Sequence, residues 1–457
     1  MTRPESDRPP SRPPSVERLL ATAAPRLGER EHAAVLAAAR EVVAEERLDT
    51  RAGAAPRTVA DLADALVERL GALADGGLVP AINATGVILH TNLGRAPWSE
   101  AAIRAAGQAA AGASLLEMDG ATGRRGARFR AAEDHLVALT GAGDALVVNN
   151  NAAAVALAVG LAGRGRGVAI ARGELVEIGG GVRIPEIIRR AGLRLVEVGT
   201  TNRTRLADYR EVAAAGQAAL ILRVHASNFR MEGYVESPDA GELAALAHEF
   251  GLPLVDDLGS GALLDTAVFG LAHEPTPAEV LAAGADLVTF SGDKLVGGPQ
   301  AGLITGRADL IARLRRDPLV RAMRADKVTL AALAATLALY RAGRALAEIP
   351  VWRIIAAPPE GLEARARALA SDRPEARVVP LLATVGGGSL PGETLPSWGL
   401  SLAARSAERL LARLRSGRPA VVGRIGAGAV LLDLRTVAPA DDALLAAALA
   451  TALAAEP

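Results

Sequence analysis

Between residues 15 and 77 the apolar positions recur every three or four residues, with Ala, Leu and Val set against charges. That spacing predicts amphipathic helices. The stretch "TVADLADALVERLGAL" from Thr58 is the cleanest of them, while Ser15, with Arg18 beyond it, offers only a partial cap. From about residue 80 the period changes. Short β-branched runs, among them "ALVVNNN", "GVAIAR", "RLVEVG", "ALILRV", "PLVDDLG" and "DLVTFSGD", alternate with Ala-rich helical stretches. This alternation predicts βαβ units and a mostly parallel sheet covered on both faces, an α/β fold. The run 320–343, "VRAMRADKVTLAALAATLALYRAG", predicts one long linking helix. Beyond it, "ARVVPLLATVGGGSLPG" and "AVVGRIGAGAVLLDLRTV" predict strands of a small α+β C-terminal domain. The expected division is a disordered tail over 1–14, a helical domain over 15–78, a large α/β domain over 79–330, and the linking helix with the small domain over 331–457.

Composition narrows the picture. A chain of 457 residues, 50% hydrophobic and 22% charged, is globular and long enough for two or three domains. Its formal net charge is zero, so bulk charge points to neither nucleic acid nor membrane. The absence of cysteine removes disulfides, thiolate catalysis and Cys-ligated metals, and fits a reducing compartment. The start, "MTRPESDRPPSRPP", is polar and proline-rich, without the apolar core of a signal peptide. No apolar run approaches the ~20 residues of a membrane helix. A cytoplasmic protein is expected.

Lysine is almost missing. Of 51 Lys and Arg residues only Lys294 and Lys327 are lysines. A chain that writes positive charge as Arg keeps Lys where a guanidinium cannot serve. Lysine can shed its proton in a suitable pocket and become a nucleophilic amine. Lys294 sits in "SGDKLVGG", just after a predicted strand. It reads either as a Schiff-base lysine or as an ordinary surface lysine in a Gly-rich turn.

A lysine-bound pyridoxal phosphate needs further parts, and each has a candidate. Asn149, Asn150 and Asn151 lie where a strand turns into a helix, which is an anion site as well as a plain N-cap. Asp256 and Asp257 end a buried strand, at the ligand edge of a parallel sheet. A carboxylate there keeps a pyridine nitrogen protonated and makes the ring an electron sink. Strand alternation favours Asp257, because Gly259, two residues on, is small enough to lie beneath a flat ring. The competing readings are a helix cap and a metal-binding pair. Ser291 is close enough to Lys294 to assist a phosphate, and Gly297 and Gly298 permit tight backbone approach.

With these residues in place, the chain resembles the bacterial selenocysteine synthases, the L-seryl-tRNA(Sec) selenium transferases, which are fold-type-I pyridoxal phosphate enzymes. The blocks that carry the resemblance include "INATGVILHTNLGRAP", "EMDGATGRRGAR", "RGELVEIGGGVRIPE", "VHASNFRMEGY", "DDLGSG", "SGDKLVGGPQAG", "RAMRADK" and "GGGSLPGETLPSW". One position departs: the family usually has Ser where this chain has Ala171. The resemblance implies that Lys294 holds the cofactor as an internal aldimine and that Asp293 assists the reaction. It implies that Arg95, Arg321 and Arg324 hold selenophosphate, an anion suited to permanently charged planar donors. On one helix, Arg321 and Arg324 would face one side together. His225, Ser227 and Asn228 are expected near the cofactor's ring oxygen.

The implied reaction is loss of water from the serine of Ser-tRNA(Sec), then addition of selenium to an aminoacrylate. The helical segment would dock tRNA, and the assembly would be a homodecamer of dimers with sites at subunit interfaces. Two other readings stand beside it: an ammonia lyase or β-lyase acting on a small amine, and a non-catalytic tRNA-binding protein.

Overall fold

The computed structural model describes residues 13–454 apart from 29, 52–53, 75–76, 127 and 179–180. Most of the expected tail, residues 1–12, lies outside the described residues. The chain divides into two compact units, 1–81 with 418–420, and 82–417 with 421–457.

Among its described residues the first unit contains three helices, α1 (Val16–Leu27), α2 (His32–Arg51) and α3 (Val59–Ala74). Ser15 caps α1 by accepting from Arg18 N at 3.2 Å. Thr58 and Asp61 cap α3 reciprocally, at 3.1 and 3.0 Å. The apolar stripes meet in a core that includes Leu19, Val35, Val42, Leu62 and Leu66. Glu46 is buried beneath them and pairs with Arg57 Nε at 2.6 Å.

The second unit is built on a seven-stranded sheet. Its strands are β1 (Asp144–Val148), β2 (Gly167–Ala171), β3 (Arg194–Val198), β4 (Leu220–Val224), β5 (Leu254–Gly259), β6 (Leu287–Ser291) and β7 (Gly302–Gly306). The spatial order is β1-β7-β6-β5-β4-β2-β3. All neighbouring pairs are parallel except those of β7, which runs against both β1 and β6. β2, β6 and β7 are buried throughout, as strands covered on both faces must be. Separate apolar cores lie on the two faces. Toward the C-terminus, β8 (Ala376–Gly386), β9 (Ser389–Leu402), β10 (Arg424–Gly426) and β11 (Ala429–Asp433) form an antiparallel sheet in the order β8-β9-β11-β10, with its own core. The α/β class and the mostly parallel sheet expected from the sequence are thus present.

The single long helix expected over 320–343 is not. A short helix, Leu319–Met323, ends there, and Arg324 is extended, with φ −66° and ψ 138°. A new helix, Lys327–Arg341, starts after Asp326, whose carboxylate accepts from Val328 N at 2.7 Å and Thr329 N at 3.0 Å. An Asp N-cap restarts the helix, so apolar periodicity alone overestimated its length. Among the described residues no helix is long and apolar enough to cross a membrane.

Candidate active site

The C-terminal ends of the parallel strands converge on a cavity of about 300 Å³. β5 delivers Asp257. β6 ends in Ser291 and runs into the loop that carries Asp293 and Lys294. That loop is closed by its own backbone: Gly297 N donates to Lys294 O at 3.0 Å, and Gly298 N to Gly292 O at 2.9 Å. β4 leads into His225, Ser227 and Asn228, and the helix Asn151–Gly160 opens directly after β1. Lys294, Asp293, Asp257, Ser291, Asn150, Asn151, His225, Ser227, Asn228 and Arg95 all line this one cavity.

The two aspartates separate as strand alternation requires. Asp257 lines the cavity, and its Oδ1 accepts from Asn151 Nδ2 at 2.8 Å and Thr289 Oγ1 at 2.9 Å. Burial raises its pKa, and those two hydrogen bonds and Lys294 act against the rise. Asp256 lies outside the cavity lining and pairs with Arg223 at 3.3 Å; burial pushes its carboxyl up to about 6. Gly259 has φ +67°, and a Cβ there would stand 3.3 Å from Ser227 Oγ and 3.7 Å from Lys294 Nζ. The glycine therefore keeps the cavity floor open.

Asn150 has two jobs. Its side chain caps the helix by accepting from Ala153 N at 2.9 Å, so the plain capping role is real, yet it also lines the cavity. Asn151 Oδ1 is buried without a hydrogen-bond partner. An unpaired buried acceptor in a ligand cavity marks a place for a donor from outside the chain.

Burial also lowers the pKa of Lys294; Asp257, Asp293 and Glu274 oppose that shift and Arg95 adds to it. Its Nζ donates to Gly388 O at 3.4 Å. Holding the amine below the usual lysine range enlarges its neutral, nucleophilic fraction. Asp293 is tied to Arg95 Nη1 at 2.6 Å, and Ala96 N donates to Asp293 O at 3.2 Å.

Three expected residues stand apart. Asn149 is exposed and does not line the cavity; its backbone N–H donates to Met323 O at 2.8 Å. Arg321 and Arg324 do not line it either. Arg324 pairs with Glu117 Oε1 at 3.3 Å, and the break after Met323 removes the shared helical face expected for the two arginines. Conversely, Thr91, Gln300, Gly387 and Gly388 line the cavity without having been singled out. The "GGGSLPG" block was visible as a motif, but nothing in sequence spacing shows that a carbonyl there meets Lys294.

Known proteins resemble the chain over most of its length. The family model described as "L-seryl-tRNA selenium transferase" matches residues 81–438. The chain is 46% identical over 437 residues to the L-seryl-tRNA(Sec) selenium transferase of Rhizobium meliloti (strain 1021), covering 92% of this chain and 93% of that one. It is 50% identical over 368 residues to the protein of that name from Methylocella silvestris, covering 78% of each. Among solved structures, that of a D-glucosaminate-6-phosphate ammonia-lyase superposes with a TM-score of 0.60 at 24% identity, over 83% of this chain and 97% of that one, which is a likeness of fold.

Proposed function

The chain belongs to the L-seryl-tRNA selenium transferase family, and on that premise we propose that it converts Ser-tRNA(Sec) to selenocysteinyl-tRNA(Sec) with pyridoxal phosphate as cofactor and selenophosphate as selenium donor. The observation that carries this reading is one cavity in which a partly buried lysine amine of lowered pKa, a buried carboxylate at a strand end and the start of a helix meet.

The residues fit the cofactor. Lys294 would hold it covalently, and Asp257 would hold the proton of the ring nitrogen. The backbone N–H groups of Asn150 and Asn151 at the N-terminus of the helix Asn151–Gly160, with Ser291, would hold the phosphate, while the Asn151 side chain stays on Asp257. Gly259 leaves the floor clear for a flat ring. When bound, pyridoxal phosphate withdraws electrons from Cα of the amino acid. The chain's own groups do the rest. The Lys294 amine takes the Cα proton of the seryl group. Cleavage of the Cβ–O bond then releases the hydroxyl, which leaves as water after gaining a proton. Arg95, a permanent cation on the cavity wall, orients the anionic donor; its selenium bonds to Cβ, the Se–P bond breaks as water takes the phosphoryl group away as phosphate, and Cα regains a proton through Lys294. Arg321 and Arg324 serve the same donor in our reading. Neither lines the cavity of its own chain, so in our reading a second chain brings them to it, within a homodecamer of dimers with shared sites. The helical segment 15–78 is the unit we assign to tRNA docking. The cytoplasm, where tRNA is charged, is the compartment. A lyase acting on a small amine gains nothing from the ammonia-lyase likeness, which is one of fold alone.

The test is a reaction of the pyridoxal phosphate-loaded protein with Ser-tRNA(Sec) and labelled selenophosphate. Labelled selenocysteinyl-tRNA is expected from the wild type and none from Lys294→Arg, whose guanidinium keeps the charge but loses the amine. Product from the Arg variant at near wild-type rate, or none from the wild type, overturns the reading.

A further inference from the structure

Behind the cavity wall lies a buried carboxylate that the reaction above does not use. Glu274 is 3% exposed and is not a cavity-lining residue. Its Oε1 stands 3.3 Å from Nε2 of His225, which does line the cavity. The same oxygen accepts a hydrogen bond from the buried Ser260 hydroxyl. The backbone is fixed as well: Glu274 N donates to Thr266 Oγ1 at 2.9 Å, and Thr266 Oγ1 donates to Ala272 O at 2.6 Å. Among the described residues no Lys or Arg forms an ion pair with Glu274. Burying a carboxylate without a permanent cation is costly, and this fold does so at the one place where the carboxylate meets an imidazole of the site.

Which nitrogen of an imidazole carries the proton is set by the hydrogen bond its other nitrogen makes. The 3.3 Å contact is near enough for Nε2–H to be donated to Glu274 once the ring turns to face it, and that leaves Nδ1 as the ring nitrogen free to serve the cavity. The ring is also pinned at its backbone, where His225 N donates to Asp257 O at 2.9 Å. His225 is thus held at both ends, by the strand that supplies Asp257 and by Glu274. We propose that Glu274 is a positioning residue that fixes the orientation and tautomer of His225, so that one defined ring nitrogen meets the cofactor and the seryl substrate. The proposal rests on the function given above.

The experiment is a double-mutant cycle on the full chain, combining Glu274→Gln and His225→Ala. Two quantities are read: the dissociation constant of pyridoxal phosphate, titrated into the apo protein, and kcat and KM for Ser-tRNA(Sec) in the loaded protein. Losing one buried charge-assisted contact predicts a kcat roughly tenfold lower in Glu274→Gln. KM should be unchanged, and pyridoxal phosphate should bind several-fold more weakly. In the His225→Ala background the same change should cost less than twofold, because Glu274 acts only through the ring. Glu274→Asp, which keeps the charge but withdraws it by one methylene, should show the same loss with normal cooperative melting, and it carries the test if the Gln variant does not fold. Wild-type values in both single variants overturn the proposal. So do multiplicative losses in the double mutant, or failure of both Glu274 variants to melt cooperatively. A wild type that makes no selenocysteinyl-tRNA sinks the functional reading instead, while the cofactor titration still tests Glu274.

Discussion

Arg95 Nη1 lies 2.6 Å from Asp293 Oδ2, joining the residue before Lys294 to a segment 198 positions earlier in the chain. Arg95 holds this contact from a left-handed backbone, φ +62°, which a side-chain-bearing residue adopts only when its surroundings fix it. The Asp293 side chain is 10% exposed and that of Arg95 32%. Removing the cation therefore strands a mostly buried carboxylate. Arg95→Ala should lose on the order of 1.5–3 kcal/mol of stability, read by urea unfolding, in addition to its effect on donor use. Adding Asp293→Asn should restore part of that stability. An unchanged midpoint in Arg95→Ala would make the ion pair incidental.

Gly259 offers a test of the cavity floor. An alanine there must adopt φ +67°, which costs about 1 kcal/mol. Its methyl would also stand within 4 Å of Ser227 Oγ and Lys294 Nζ. Gly259→Ala should stay folded but bind pyridoxal phosphate at least tenfold more weakly, measured by titrating the apo protein. Wild-type affinity would place the ring elsewhere in the cavity.

Arg321 and Arg324 divide the reaction in two. Loss of water from the seryl group needs only the cofactor and Lys294, whereas addition of selenium needs an anion held in place. Replacing both arginines by alanine should leave dehydration intact and weaken selenophosphate use by roughly a hundredfold, as expected for two charge-assisted contacts. Single-turnover kinetics with varied selenophosphate separates the halves. Loss of dehydration with unchanged donor dependence would assign these arginines to the tRNA end or to the structure.

Asp256 predicts a pH dependence. In the unfolded chain its carboxyl titrates near 3.9; in the fold, burial raises it to about 6. The folded state therefore holds the proton more tightly, and stability from this group is full below about pH 4 and falls as pH rises to about 6. The two-unit difference corresponds to about 3 kcal/mol. Asp256→Asn has no such proton to lose. Its urea midpoint should gain on that of the wild type between pH 4 and pH 6, with a constant gap from pH 7 upward. A gap that does not change with pH would mean that Asp256 ionises freely in the fold.

Much of this architecture was legible because it depends on local rules. Alternation along a strand separated Asp257 from Asp256, and the rarity of lysine directed attention to Lys294. The strand–turn–helix pattern located Asn150 and Asn151, although period alone could not tell that Asn149 turns outward. Continuity misled at Arg324: an apolar run with helical spacing hides a restart at Asp326, because capping depends on one side chain and not on periodicity. Glu274 carried no signal at all. It lies in a connecting segment, and its meaning comes from His225, a residue far away in sequence. Gly388 was equally silent, since it contributes a carbonyl oxygen that every residue possesses.

The reversed strand β7 bears on how the molecule comes to exist. Within the sheet β1 pairs with β7 alone, so the strand that leads to Asn150 and Asn151 has no neighbour there until residues 302–306 have been made. Asn151 must then find Asp257, 106 residues away, and Lys294 must find Gly388, 94 residues further on. Such distant pairings make folding slow. A ribosome that has delivered the first half of this chain has delivered the asparagines without their sheet, and the cavity closes only after most of the protein has emerged.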